Sequence, residues 1–212
     1  MRLTPILVAA LLVPVAAFAW GKKEAKKVPL PALKAGVHHQ CLTPLAEKKE
    51  PAGLMGMGIL DQTRGDLANA KSRYITAFAG EYELMTAPID LTFVGGVIWI
   101  QSEACPVPVP AAPAAERIER SQAKLNFQPK YPEILLSVRS EGDVETTVWI
   151  GPDGKPSRIH VDSSSAGPLG IERRRDPGEE EAERQVARVQ LALQAIEALR
   201  GFDFCAANAG KN

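Results

Sequence analysis

The most reactive side chains in the sequence lie together near its start. His38-His39-Gln40-Cys41 brings two imidazoles and a thiol into one short stretch, and imidazole and thiolate are donors that transition metals such as zinc accept. A metal centre there would need further ligands at a matching spacing, and no second cluster supplies them. The competing reading of the same stretch is a loop that leads into a disulfide. Ser163-Ser164-Ser165 offers three hydroxyls but no G-x-S-x-G context, so no nucleophile elbow follows. Glu172, Arg173, Arg174, Arg175 and Asp176 mix both signs and read as a solvated loop, not a phosphate site. Neither a P-loop nor a dinucleotide fingerprint occurs. These residues give no catalytic group, no metal ligand set and no cofactor, and the expectation is a chain that is not an enzyme.

His160 and Trp149 are of another kind. His160 alternates with Ile159 and Val161, so on a strand it faces away from the core, where a solvated histidine is expected. Trp149 projects to the same side. An exposed indole is a common interface anchor, and its alternative role is to be covered by the N-terminal region or by the C-terminal tail.

The chain has 212 residues, 45% of them hydrophobic and 24% charged, with a formal net charge of zero. That is globular composition with room for one or two small domains, and it leaves no basic footprint for nucleic acid. After Arg2 an apolar stretch runs to Ala17-Phe18-Ala19, a small-x-small pattern before Trp20, so residues 1–19 are expected to be a cleavable secretory signal. The rival is an uncleaved inner-membrane anchor, opposed by Pro5 and Pro14 within the run and by Lys22, Lys23, Lys26 and Lys27 after it. Either way the chain is exported. Cys41, Cys105 and Cys205 are the only cysteines, and an oxidising compartment favours pairing two of them. Cys41 with Cys105 is the first choice because the two bracket the N-terminal region; pairings with Cys205 remain open.

Residues 20–36 are rich in Lys, Pro and Gly and are expected to form a flexible leader. A short helix is expected from Ala68 to Tyr74, starting as early as Asp61. Ile89 to Val94 alternates, with Ile89, Leu91 and Phe93 on one face and Asp90 and Thr92 on the other. Gly95-Gly96 is a two-residue hairpin signal with Val97 to Gln101 returning, so residues 37–104 are expected to be a small α+β unit of unknown function. Pro106, Pro108, Pro110 and Pro113 mark 105–127 as a Pro/Ala-rich linker and a domain boundary.

In the remainder, Tyr131-Pro132 opens a short helix with Gly142 after it. Val144, Val148 and Ile150 share one face of a strand, and Glu145, Thr147 and Trp149 the other. Pro152-Asp153-Gly154 makes the turn, and a second strand follows with Ile159 and Val161 inward. A long helix comes next. Asp176 suits its N-cap, Pro177 its first position, Glu179, Glu180 and Glu181 its positive end, and Gly201 its stop. Val186, Val189, Leu193, Ile196 and Leu199 form an apolar stripe expected to cover the inward face of the hairpin.

This order of elements resembles the C-terminal domain of the TonB energy-transducer family over roughly residues 128–212. The residues that carry the resemblance are Tyr131-Pro132, Glu141-Gly142 followed by Val144, Pro152-Asp153-Gly154, the serine run, the helix, and Phe202 to Gly210 ending in Asn208-Ala209-Gly210. Phe202 and Ala206 stand where the family has Trp and Pro. The apolar N-terminus lacks the family anchor's His, the linker reaches only about 70 Å when extended, and the family's last strand is expected to be missing beyond Asn212. The resemblance implies an α+β fold with an antiparallel hairpin packed on a short and a long helix. It also implies a periplasmic module that binds envelope proteins, a TonB-dependent outer-membrane receptor among them, through strand addition or sheet-edge packing. On that reading Trp149, His160, Phe202 and Phe204 are the partner-binding residues. Membrane contact would arise only through an uncleaved N-terminal segment. A structural envelope protein that keeps the fold without energy transduction, and a secreted metal-binding enzyme, are the alternatives.

Overall fold

The computed structural model describes residues 37–79, 91–100, 105–106, 109–111, 141–167, 176–202 and 204, with the side chains of 37–39 left out. In chain order the elements are helices α1 (Val37–Glu47), α2 (Pro51–Thr63) and α3 (Leu67–Phe78), strands β1 (Leu91–Val94), β2 (Val97–Ile100), β3 (Val144–Ile150) and β4 (Pro156–Ser164), and helix α4 (Pro177–Arg200). The four strands make one antiparallel sheet in the order β2-β1-β4-β3.

Helix α2 is buried from Gly53 to Gln62. A helix that is apolar all round has no face for solvent and belongs at the centre. Its glycines permit this: a Cβ at Gly53 would collide with the backbone of Leu45 and Ala46 in α1, and one at Gly58 with the Tyr74 ring in α3. Glycine ordinarily weakens a helix by about 1 kcal/mol, which is why α2 does not show in the sequence as a helix. Helix α1 is hidden by a different residue, Pro44 in its interior. The helix expected from Ala68 is α3. Asp61 belongs to α2 instead, and Gly65, with φ of 83°, turns the chain between them. Asp66 caps α3 by accepting from the Asn69 N–H at 3.2 Å.

A polar relay joins the three larger helices. The Tyr74 hydroxyl donates to Gln62 Oε1 at 2.7 Å, and Gln62 Nε2 donates to the Val186 carbonyl of α4 at 3.1 Å. Burial, and then the nearby Asp61 charge, hold the Tyr74 phenol well above its ordinary value. The folded chain therefore keeps this proton after an unfolded chain has released it. The contribution is complete below the usual phenol pKa of about 10 and is lost as pH rises above it. Stability is expected to fall at alkaline pH, and Tyr74→Phe is expected to remove that part of the fall while costing about 1–3 kcal/mol near neutrality by stranding Gln62 Oε1. Denaturant melts of both proteins as a function of pH check both effects.

The β1–β2 hairpin forms at Gly95 and Gly96, with φ of 60° and 80°. Two consecutive positive φ values are what a type I′ turn requires. Leu91 and Phe93 face the core as expected. Thr92 lies on the other face, as the alternation requires, and it is buried too, for all four β1 residues are. The reason is pairing: β1 is a central strand, bonded to β2 on one side and to β4 on the other, with Leu91 opposite Val161 and Phe93 opposite Ile159. A lone hairpin is marginal in water. Here the hairpins from the two halves of the sequence complete each other's sheet, and one buried cluster draws on α1, α2, α3, β1, β2, β4 and α4.

Cys41 of α1 is bonded to Cys105 beyond β2, with Cα atoms 5.8 Å apart. Helix α4 begins at Asp176, whose Oδ1 accepts from the Gly178 N–H at 2.8 Å, and all five residues of the expected stripe are buried. It packs on the β3–β4 hairpin, and Ala187 and Leu191 add a smaller cluster with Val144 and Ala166. The short helix expected after Pro132 lies outside the described residues, as do most of 105–127 and the tail from Cys205.

Candidate functional site

The turn between β3 and β4 is built by its own backbone. The Gly151 N–H donates to the Lys155 carbonyl at 2.8 Å, the Gly154 N–H to the Gly151 carbonyl at 2.9 Å, and Asp153 Oδ1 accepts from the Lys155 N–H at 3.1 Å. Gly154 takes φ of 74°. Pro152, Asp153 and Gly154 are thus turn residues in a mechanical sense. The Gly154 carbonyl also accepts from the Phe204 N–H at 2.8 Å, which ties the chain after α4 to this turn. Phe202 and Phe204 meet edge to face with centroids 4.7 Å apart, and Phe204 packs on the main core.

Gly142 sits against the chain leaving β4, where a Cβ would collide with the Ser165 carbonyl. The Ser165 N–H donates to the Asp143 carbonyl at 2.8 Å, so pairing continues past the ends of β3 and β4. Tyr131, Pro132, Asn208 and Gly210 lie outside the described residues.

On the sheet face away from α4, cross-strand register sets two rows. One is Trp99, Thr92, His160 and Thr147; the other is Val97, Val94, Arg158 and Trp149. The Arg158 guanidinium lies over the Trp149 ring, 4.7 Å from its centroid, a contact worth about 0.5–1 kcal/mol at a partly exposed site. His160 Nδ1 and Thr92 Oγ1 are 2.9 Å apart, His160 Nε2 is 3.7 Å from Asp162 Oδ1, and the Thr147 hydroxyl donates to Asp162 Oδ2 at 2.8 Å. Further along, the Ser163 hydroxyl donates to Glu145 Oε2 at 3.0 Å.

Hydroxyl, imidazole and carboxylate in a line are the components of nucleophilic catalysis. Here the hydroxyl belongs to Thr92, which has 0% exposure, so no substrate reaches it as the molecule stands. The three groups form a polar seam across β1, β4 and β3. The structure therefore brings Trp149 and His160 onto one face and sets Phe204 on the core side.

Among the described residues no group of three or more His, Cys, Asp or Glu is placed to hold a metal. The Cys41 thiolate that a His38-His39-Cys41 site would use is bonded to Cys105. Among the described residues no helix is long and apolar enough to cross a membrane.

A buried ionic line on α4 escapes a reading of the sequence. Glu181 was expected to face the helix dipole with Glu179 and Glu180, yet it is buried. Its Oε1 accepts from Arg188 Nη1 at 2.6 Å, and Arg188 is buried as well. Gln185 lies between them with 0% exposure. The spacing i, i+4, i+7 that aligns these residues is visible in the sequence; that other chain covers them is not.

No protein-family model, curated protein or solved structure matches this chain.

Proposed function

We propose that the chain is an exported, non-enzymatic protein of the bacterial cell envelope that works by binding other proteins at the β3 side of its sheet. The observation that carries this reading is the state of β3. It is an edge strand among the described residues, seven residues long, and its outer face presents Trp149 beneath Arg158. An edge strand offers a row of backbone donors and acceptors to an added strand, and a half-buried indole supplies an anchor beside it. The order of motifs that resembles a TonB C-terminal domain supports envelope transport or maintenance as the setting, with a TonB-dependent receptor as the partner in the first case. The Cys41–Cys105 disulfide agrees with an oxidising compartment such as the periplasm. The reading calls for no cofactor.

The test is a pull-down from envelope extract with the chain starting at Trp20, run beside Trp149→Ala. Wild type is expected to retain a TonB-dependent receptor or a motor component, and Trp149→Ala to retain at least tenfold less, about what loss of an aromatic anchor costs. Recovery of neither class by wild type would overturn the transport role in favour of a structural envelope protein. Stoichiometric zinc or copper in the purified protein would overturn the non-enzymatic reading.

A further inference from the structure

Strand β3 is poorly defended for an edge. Val144-Glu145-Thr146-Thr147-Val148-Trp149-Ile150 contains no proline and no lysine, and it is dominated by β-branched and aromatic residues. Natural edges are normally kept short or blunted with such gatekeepers, because an open, strand-prone edge recruits another chain. The opposite edge, β2, has only four residues. The irregularities of the β3–β4 ladder fall on β4, where Asp162 and Ser157 have no counterpart. Strand β3 itself alternates without interruption, so its free side is a regular template.

The charges on its outer face are unbalanced in a telling way. Glu145 accepts only the Ser163 hydroxyl, and Arg158 lies on the Trp149 ring; among the described residues neither makes an ion pair. They stand at opposite ends of the strand, too far apart to meet within one molecule.

From these features we infer that β3 pairs antiparallel with β3 of a second copy of this chain, about a two-fold axis at Thr147. Thr147 is the middle residue of the seven. In that register Thr147 faces its own counterpart, Val144 faces Ile150, Thr146 faces Val148, and Glu145 faces Trp149. All seven residues are paired, and the two sheets become one of eight strands. Each Glu145 then stands one strand spacing, about 4.8 Å, from the indole that carries the other copy's Arg158, so both unmatched charges find partners, twice by symmetry. Sliding by two residues toward either end sets Glu145 nearer its counterpart or Trp149–Arg158 nearer its own, and it leaves residues unpaired. The contact is isologous and closes on itself, so it gives a dimer and no fibre. It also occupies the edge proposed above for a partner. The dimer requires only that the edge be open, and so it stands or falls separately from the TonB-like reading.

Sedimentation equilibrium on the protein exported under its own N-terminal segment is expected to show a reversible monomer–dimer equilibrium. Glu145→Arg is expected to weaken it about tenfold, because like charges then face each other across the axis. Adding Arg158→Glu to that variant is expected to restore association to near the wild-type value, an effect that a merely structural role for either residue would not produce. Circular dichroism confirms that the variants fold. In a Cys205→Ser background, mild oxidation of Thr147→Cys is expected to yield a covalent dimer, since facing Cα atoms in an antiparallel pair lie about 4.5–5.5 Å apart, within disulfide range. A chain that stays monomeric at every concentration overturns the inference and leaves the edge to a different protein. A dimer indifferent to the charge exchange, or one that Thr147→Cys does not cross-link, overturns it also. None of these outcomes bears on whether the monomer retains a receptor in the pull-down.

Discussion

Replacing both Cys41 and Cys105 with alanine is expected to lower the unfolding midpoint by about 10 °C, with most of the loss acting through the unfolded chain. The bond joins residues 64 apart in sequence. Loop-closure entropy for a ring of that size is worth about 4 kcal/mol, and about 2–4 °C of midpoint accompanies each kcal/mol in a chain of this length. The native state adds a geometric reason for the size of the effect. The bond fastens α1, which packs mainly on α2, to the chain just past β2, so it holds the helical layer against the far edge of the sheet. Calorimetry of the double variant, and of the wild type under a thiol reductant, should give matching shifts. A shift below 3 °C, by the same scale less than about 0.75–1.5 kcal/mol, would mean that the unfolded chain is already compact around this loop.

Arg188→Met is expected to cost about 3 kcal/mol, more than the loss of apolar contact alone. Arg188 and Glu181 are both under a tenth exposed, and removing one partner strands a buried charge, which typically costs about 3–5 kcal/mol. The lower end applies because Arg184 Nη1 also approaches Glu181 Oε2, at 3.4 Å, and retains part of the compensation. Combining Glu181→Met with Arg188→Met is expected to recover most of the loss, since two well-packed apolar side chains need no counter-charge. Urea unfolding of the wild type, both single variants and the double variant closes a mutant cycle. Additive single effects would show that the two side chains do not act as a pair.

Much of the two hairpins and of the C-terminal helix was legible in the sequence, because those elements depend on local chemistry. Gly95-Gly96 and Pro152-Asp153-Gly154 make turns through backbone angles that few residues adopt. Asp176 and Pro177 start α4 by satisfying or lacking the first free N–H groups. The five-residue apolar stripe from Val186 to Leu199 is buried as its spacing required. Helix α2 was not legible, since Gly53, Gly56 and Gly58 suppress helix propensity and are tolerated only because neighbouring helices approach there, and α1 was hidden by Pro44 in its interior. The burial of Thr92 and Glu181 was not legible for a related reason. Periodicity reports which face a side chain takes, not what lies against that face.

By itself, then, the sequence determined the two hairpins, the capped helix with its apolar stripe, and the alternation that sends Trp149 and His160 to one face. The tertiary structure alone decided that β1 pairs with β4, that Arg158 lies on Trp149 while His160 meets Thr92, and that Glu181 and Arg188 are buried together. The division has a physical origin. Turns, caps and amphipathic faces are settled by residues within a few positions of one another, whereas strand order and buried charge depend on groups brought together from distant parts of the chain. Those meetings form only if the apolar surface they bury offsets the entropy of closing the long loops between them.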